Sequence, residues 1–195
     1  MKNPFSTKRL SINPIRDIPE DQAIVDSILG GPHTYALSNL ALLRPGPIND
    51  WKTHFDENYT LAFIIRVSPP PARYTESGIP IGVISLSKIR PVGHEQHRAS
   101  SININILEEH RGHGYSSEAI EWLLHWGFGD ELHRIGFECF SYNVGIVKMV
   151  EQLGFVLEGR KRDAVWNQGA WHDWLIYSLL EPEWKLKRRE AGDVS

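Results

Sequence analysis

Between Ser101 and Gly127 the hydrophobic period changes midway, and that change constrains the fold more than any other feature of the chain. Ser101-Ile-Asn-Ile-Asn-Ile-Leu107 alternates, with Ile102, Ile104 and Ile106 on one face, the pattern of a half-buried strand. Arg111-Gly-His-Gly114 then turns the chain. A helix is expected from about Gly114 to Gly127, with Ala119, Ile120, Leu123 and Leu124 as its buried stripe and Trp122 and Trp126 flanking it. The first N–H groups of such a helix lack internal partners, and its dipole favours negative charge there. Glycines let the backbone approach an anion closely, and Arg111 adds a permanent cation with forked donors. Ser116-Ser117-Glu118 suit a first helical turn. The order strand, glycine turn, helix is thus an anion site by construction. An isolated R-G-x-G also occurs as a tight turn that binds nothing.

The remaining elements fill in around this centre. Arg9 to Ile15 reads as a first strand, and Asp17-Ile-Pro-Glu-Asp21 opens a helix whose face is Ala23, Ile24, Ile28 and Leu29, stopped by Gly30-Gly31. Thr34 to Phe55, with Pro45 and Pro47, carries no decisive pattern beyond a candidate helical stretch at Asp50 to Phe55. Leu61 to Val67 and Ile79 to Ile89 read as strands, the second with Gly82 inside it and separated from the first by the proline-rich Ser68 to Gly78. His94 to His97 lies in a polar loop. Arg134 to Phe140 is a strand, and Asn143 to Leu153 a helix closed by Gly154. Phe155 to Arg162 and Trp171 to Leu180 form a closing antiparallel pair around Asn167-Gln-Gly169. Trp166, Trp171 and Trp174 near that hairpin are expected to pack into the core. Lys185 to Ser195 reads as a solvated tail. Strands and helices mix, with several sequential strands, so the class is α+β. The chain of 195 residues suits one domain.

Several functions are disfavoured. Gly112-His-Gly114 is followed by Tyr115-Ser116-Ser117, so the dinucleotide pattern G-x-G-x-x-G is absent, and no Gly-Lys-Ser/Thr element exists for a P-loop. A formal charge of −3 draws the chain to neither nucleic acid nor membrane, and the short basic run Lys185 to Arg189 is followed by acids. No apolar run has spanning length, and a single cysteine, Cys139, rules out an internal disulfide, so a cytoplasmic protein is expected. Free cysteine is usually buried, and Cys139 is read as a strand residue rather than a nucleophile. His94-x-x-His97 and His110-x-x-His113 have neither a nearby cysteine nor a helical H-E-x-x-H frame, so no metal is expected.

Arg111-x-x-Gly114-x-Ser116 resembles the acetyl-CoA diphosphate motif of the GNAT N-acetyltransferases, Q/R-x-x-G-x-G/A. The likeness extends in both directions. Thr7-Lys-Arg-Leu-Ser-Ile-Asn-Pro14 resembles the opening strand of the RimJ/RimL-like branch, named for ribosomal-protein acetyltransferases. Ile81 to Leu86, His110 to Ala119, Asn143, Leu153-Gly-Phe155, Leu157-Glu-Gly159 and the ending Asp173 to Trp184 are similar to the same branch. Each piece is short, but their joint order covers residues 7–184, the extent expected for the domain.

The resemblance implies a single-domain GNAT fold: a mixed, mostly antiparallel sheet with a splayed strand pair and flanking helices. It implies acetyl-CoA as cosubstrate and direct attack by a primary amine, a peptide N-terminus or a small amine, within a ternary complex. A protein of the same fold that binds coenzyme A without turnover is the alternative. Pantetheine would pair with the strand ending at Ile106 and Leu107, an N–H near Ile106 would polarise the thioester carbonyl, and Arg111, Gly112, His113, Gly114, Tyr115 and Ser116 would hold the diphosphate. Asn143 would bond the pantetheine arm. The chain departs from the family pattern at three places. Ser116 replaces the last Gly/Ala, Val150 stands where many members have an acidic tyrosine, and Ile146 where this branch often has serine. Tyr142 or Ser141, or water, could supply the missing proton. Glu108 is the chosen base candidate, with Glu109, His110, His172 and Asp173 as others, Asp173 more in a structural or acceptor-contacting role. The protein is expected to be a monomer or homodimer.

Overall fold

The computed structural model describes residues 4–30, 55, 57–67, 78–88, 95–129 and 132–192. Among these are strands β1 (Leu10–Pro14), β2 (Tyr59–Val67), β3 (Ile79–Ser87), β4 (Ala99–Ile106), β5 (Arg134–Phe140), β6 (Val156–Asn167) and β7 (Ala170–Leu180). The helices are α1 (Pro19–Gly30), α2 (Tyr115–Gly129), α3 (Val144–Leu153) and α4 (Glu181–Glu190). Two 3-10 turns, Glu95–His97 and Glu108–His110, flank β4. The expectations for Gly31 to His54, for Ser68 to Ser77 and for His94 fall outside the described residues. The mixture of sequential antiparallel strands with interspersed helices is α+β. Among the described residues no helix is long and apolar enough to cross a membrane.

The chain divides into two units. The first comprises Met1–Ser87 and Asn103–Trp122, the second Lys88–Ile102 and Leu123–Ser195, so β4 contributes to both.

In the first unit the strands neighbour one another in the order β1-β2-β3-β4, with β1–β2 and β2–β3 antiparallel. Leu10, Ile12, Ile64, Ile65, Ile81, Ile84 and Ile120 are fully buried and form its core. Helix α1 starts at Pro19, where a missing N–H costs nothing. It buries Ile24, Val25 and Ile28 against Ile64 and Val83. Ala23, expected on that face, is exposed, and Val25 takes its place. A buried ion pair was not foreseen from the sequence. Asp21 faces Arg66, both buried, and also accepts the Arg16 N–H at 2.9 Å. Arg66 donates to the Gly78 carbonyl at 3.2 Å and meets Glu20 at 3.3 Å. Such charges are tolerable in a core only because each is paired. Beside them β3 runs very close to β4: a Cβ on Gly82 would fall on the Asn105 carbonyl oxygen and against Ile106.

In the second unit the order is β4-β5-β7-β6. The β4–β5 ladder is parallel and covers Ala99–Ile102 against Arg134–Phe137, while β5–β7 and β6–β7 are antiparallel. Leu123, Leu124, Ile135 and Val150 are fully buried. Helix α3 ends as expected at Gly154, whose φ of 95° is the left-handed stop. The strand expected to end at Arg162 continues to Asn167, and Gln168 (φ 48°) and Gly169 (φ 84°) make the two-residue turn of a tight hairpin.

Two expectations are corrected here. Trp166 and Trp171 are not in the core: they are 58% and 59% exposed, opposite each other across the hairpin, with ring centres 5.3 Å apart in an edge arrangement. Cross-strand aromatic pairing stabilises the turn where no core is present. The stretch Lys185 to Glu190 is not a tail but continues α4. Glu183 accepts the Leu180 N–H at 2.9 Å and the basic residues Lys187, Arg188 and Arg189 sit at the negative end of the helix dipole. Trp184 anchors this helix, buried edge-on against His125 at 5.2 Å.

Candidate functional site

Strand β4 ends with two successive residues anchored in different directions. The Leu107 N–H donates to the Ile81 carbonyl of β3 at 2.8 Å, and the Ile106 carbonyl accepts the Arg111 Nε–H at 2.9 Å. The 3-10 turn follows, closed by His110 N–H to the Leu107 carbonyl (3.0 Å) and Arg111 N–H to the Glu108 carbonyl (3.2 Å). Gly112 and Gly114 both have φ of +77°. A Cβ at Gly112 would meet nothing within 4 Å, and one at Gly114 would meet only Arg9 Nη2 at 3.5 Å. Backbone angle, not crowding by the protein, therefore requires glycine at both positions.

The Gly114 carbonyl accepts the Glu118 N–H at 3.3 Å, so α2 opens on a residue with no side chain to cap it. The N–H groups of Tyr115, Ser116 and Ser117 have no acceptor within the helix. Added to the dipole, they make the start of α2 a place for an anion. His113 is exposed and lies over Tyr115, ring centres 5.5 Å apart and nearly parallel at 14°. Its Nδ1 is 2.8 Å from the Arg111 carbonyl, which can only accept, so Nδ1 carries a proton. Glu108 and Glu109 are exposed on the 3-10 turn.

A residue not selected from the sequence stands beside this turn. Arg9 donates from Nε to Glu118 Oε2 at 2.6 Å and from Nη1 to the His113 carbonyl at 2.9 Å, and its guanidinium carbon lies 4.9 Å from the centre of the Tyr115 ring. Glu118 also accepts the Arg9 N–H at 2.8 Å and the Thr7 hydroxyl at 2.5 Å. Burial pushes the Glu118 carboxyl up, but the Thr7 and Arg9 hydrogen bonds outweigh it and hold it below the ordinary carboxylate value. The one sequence signal was Thr7-Lys-Arg-Leu10 in the opening strand, which says nothing of the partner 109 residues away.

The other selected residues lie in the second unit. Asn143 precedes α3; its N–H donates to the Phe140 carbonyl at 2.9 Å, and its side chain makes no capping bond to the helix. Tyr142 packs edge-on to His172 at 4.8 Å and tilted against Phe140 at 5.4 Å, and burial raises its phenol above the usual value. Asp173 exchanges two hydrogen bonds with Ser141, its N–H to Ser141 Oγ at 3.0 Å and its carbonyl from the Ser141 N–H at 2.9 Å. Its carboxylate accepts the Asp163 N–H at 3.1 Å and meets Arg160 at 3.4 Å. Asp163 has φ of 48° where the β6–β7 register shifts, so Asp173 braces an irregular strand. Val150 is fully buried and Ile146 half-buried. Cys139 is buried, and burial, with Glu151 adding, pushes its thiol up to about 11. A thiol so raised is a poor nucleophile at neutral pH. Among the described residues no group of three or more His, Cys, Asp or Glu is placed to hold a metal ion.

Comparison with known proteins adds three findings. The model of the acetyltransferase (GNAT) domain family matches residues 20–156. The uncharacterized N-acetyltransferase YoaA of Bacillus subtilis is 32% identical over 89 residues, 45% of this chain and 50% of that protein. The ribosomal-protein-serine acetyltransferase of Escherichia coli is 30% identical over 101 residues, 51% of this chain and 54% of its own length. The chain thus spans about half the length of the curated relatives it matches. In fold it is similar to the spermidine N-acetyltransferase of Vibrio cholerae solved with CoA and spermine, at a TM-score of 0.74 and 18% identity, covering 92% of this chain and 99% of that one.

Proposed function

Since the chain belongs to the acetyltransferase (GNAT) family, we propose that it transfers an acetyl group from acetyl-CoA to a primary amine by direct attack in a ternary complex. One observation carries the reading. The turn from Arg111 to Gly114 leads into a helix whose first amides have no acceptor within the helix, with two glycines held at φ of +77° and no Cβ in the way. That donor set suits a diphosphate: several N–H groups, a helix dipole and a forked cation.

The bound thioester supplies an acyl group whose carbonyl needs polarising and whose thiol leaves readily, with a reference pKa near about 8.5. In this reading the backbone of Asn103 to Ile106 aligns the pantetheine arm, and the Ile106 N–H is the donor to the thioester oxygen. Leu107 contributes packing, since its N–H is held by Ile81. Gly112, His113, Gly114, Tyr115 and Ser116 receive the diphosphate through their amides. Arg111 adds charge while its Nε steadies the end of β4. Asn143, whose side chain caps nothing on α3, bonds the pantetheine amide. Tyr142, a phenol that is protonated at neutral pH and that burial raises further, donates to the departing thiolate, and exposed Glu108 takes the proton from the amine.

The acceptor follows from amine chemistry. An α-amino group titrates near about 8 and needs little help, whereas a lysine-like amine near about 10.4 needs a base. The named relatives act on a ribosomal-protein serine and on spermidine, so a serine-initiated peptide and a polyamine are the first acceptors to try. The reading includes a cytoplasmic enzyme, monomeric or homodimeric, with no nucleic-acid or membrane partner.

The test is thiol release from acetyl-CoA over an amine panel, alongside calorimetry with CoA. Gly114→Val is expected to abolish the CoA heat, because a branched residue resists a φ of +77° and would turn the amides of the anion turn out of place. Wild-type affinity in that variant would misplace the site, and a wild-type protein without CoA affinity would end the proposal. Val150, buried where many family members carry the acid, favours a second reading, CoA binding without turnover. Tight CoA binding with no thiol release from any amine would select it.

A further inference from the structure

Arg9 stands outside every role assigned above, yet it is bonded directly to the anion turn. Its Nη1 donates to the His113 carbonyl at 2.9 Å, and its Nε is fixed by Glu118 at 2.6 Å. The peptide joining His113 to Gly114 is planar and trans, so its C=O and N–H point opposite ways. Pinning the His113 carbonyl onto Arg9 sends the Gly114 N–H away from Arg9. With φ of +77°, Gly114 has no torsional preference of its own to hold that plane. Arg9 Nη2, 3.5 Å from where a Gly114 Cβ would be, sits behind the turn.

Electrostatics gives Arg9 a second task. Glu118 lies in the first turn of α2, where its carboxylate would repel an incoming anion. Arg9 and Thr7 together satisfy it with three hydrogen bonds, the Thr7 hydroxyl and the Arg9 N–H to Oε1 and the Arg9 Nε–H to Oε2. One cation thus orients an amide toward the ligand and neutralises the nearest competing charge.

We propose that Arg9 is a positioning residue for the diphosphate of the acyl donor, acting through the His113–Gly114 peptide and through Glu118. The proposal rests on the acetyl-CoA reading given above. Its test compares acetyl-CoA with S-acetyl-pantetheine, a donor that lacks the diphosphate, using the best amine from the acceptor panel. Arg9→Ala is expected to raise the CoA dissociation constant about ten-fold, the scale of a lost charge-assisted contact, and to raise KM for acetyl-CoA with little change in kcat. With S-acetyl-pantetheine its kcat/KM should equal that of the wild type. Arg9→Ala combined with Glu118→Gln should recover part of the lost affinity, since the unpaired carboxylate is then gone.

Equal CoA affinity in Arg9→Ala and wild type would overturn the proposal. So would an equal loss with both donors, which is what a merely structural role produces. Should Arg9→Ala fail to fold, Arg9→Lys decides, because one ammonium cannot hold Glu118 and the His113 carbonyl in the same fork. A folded Arg9→Lys with wild-type preference for acetyl-CoA over S-acetyl-pantetheine would overturn the idea. A wild-type protein with no CoA affinity would instead remove the parent reading, an outcome plainly different from an Arg9 variant that binds normally.

Discussion

A methyl group added at Gly82 would land on the Asn105 carbonyl oxygen, whereas one added at Gly112 would reach nothing. The two glycines are required for opposite reasons, the first by a neighbour and the second by its own φ of +77°. Gly82→Ala is therefore expected to destabilise the protein by about 1–3 kcal/mol, the cost of forcing a strand apart, read from the midpoint of urea unfolding. An unchanged midpoint would mean that β4 yields freely. The sequence showed the need for Gly112 and Gly114, because glycines just before a helical stripe announce a turn. It could not show the need for Gly82, which depends on how closely a strand more than twenty residues later approaches. Arg9 was hidden for the same reason: its charge is visible in the sequence, but its partners Glu118 and His113 are fixed only by folding.

Elements with a strong period were legible. The alternating isoleucines became β4, and Ala119, Ile120, Leu123 and Leu124 are all fully buried along α2. Polar elements were not. Helix α4 carries charges along most of its length and owes its place to one tryptophan and a cap, which is why Lys185 to Glu190 read as tail. Nor does period reveal a buried charge, since Asp21 sits in the acidic first turn that any helix favours. Arg66→Met should cost about 3–5 kcal/mol by leaving Asp21 buried without its main partner, and adding Asp21→Leu should restore most of it. Denaturant melts of the single and double variants measure both numbers. A single variant as stable as wild type would show that α1 does not depend on the pair.

The molecule as a whole should respond to acid through Glu158. Arg134, by a paired hydrogen bond and its charge, and the Ser178 hydroxyl at 2.7 Å lower its carboxyl from 4.5 to about 2. The folded state thus holds this proton less tightly than the unfolded chain does. The contribution is fully present above about pH 4.5 and drains away as pH falls toward about 2. Melting temperatures of wild type should accordingly drop more steeply over that window than those of Glu158→Gln. Added salt should narrow the difference, because both side chains are more than a third exposed. Parallel curves at low salt would show that the pair contributes nothing to acid stability.

Thr7 and Arg9 reach Glu118 across 111 and 109 residues. A growing polypeptide therefore carries these two side chains without their Glu118 partner until the first turn of α2 has been made. The N-terminal strand can pair with β2 early, but the bracket behind the turn closes only once α2 has emerged. Contacts so distant along the chain are the last to be rewarded during folding. Ligand affinity should then arrive late and all at once, making coenzyme capture a reporter of completed folding rather than a nucleus for it.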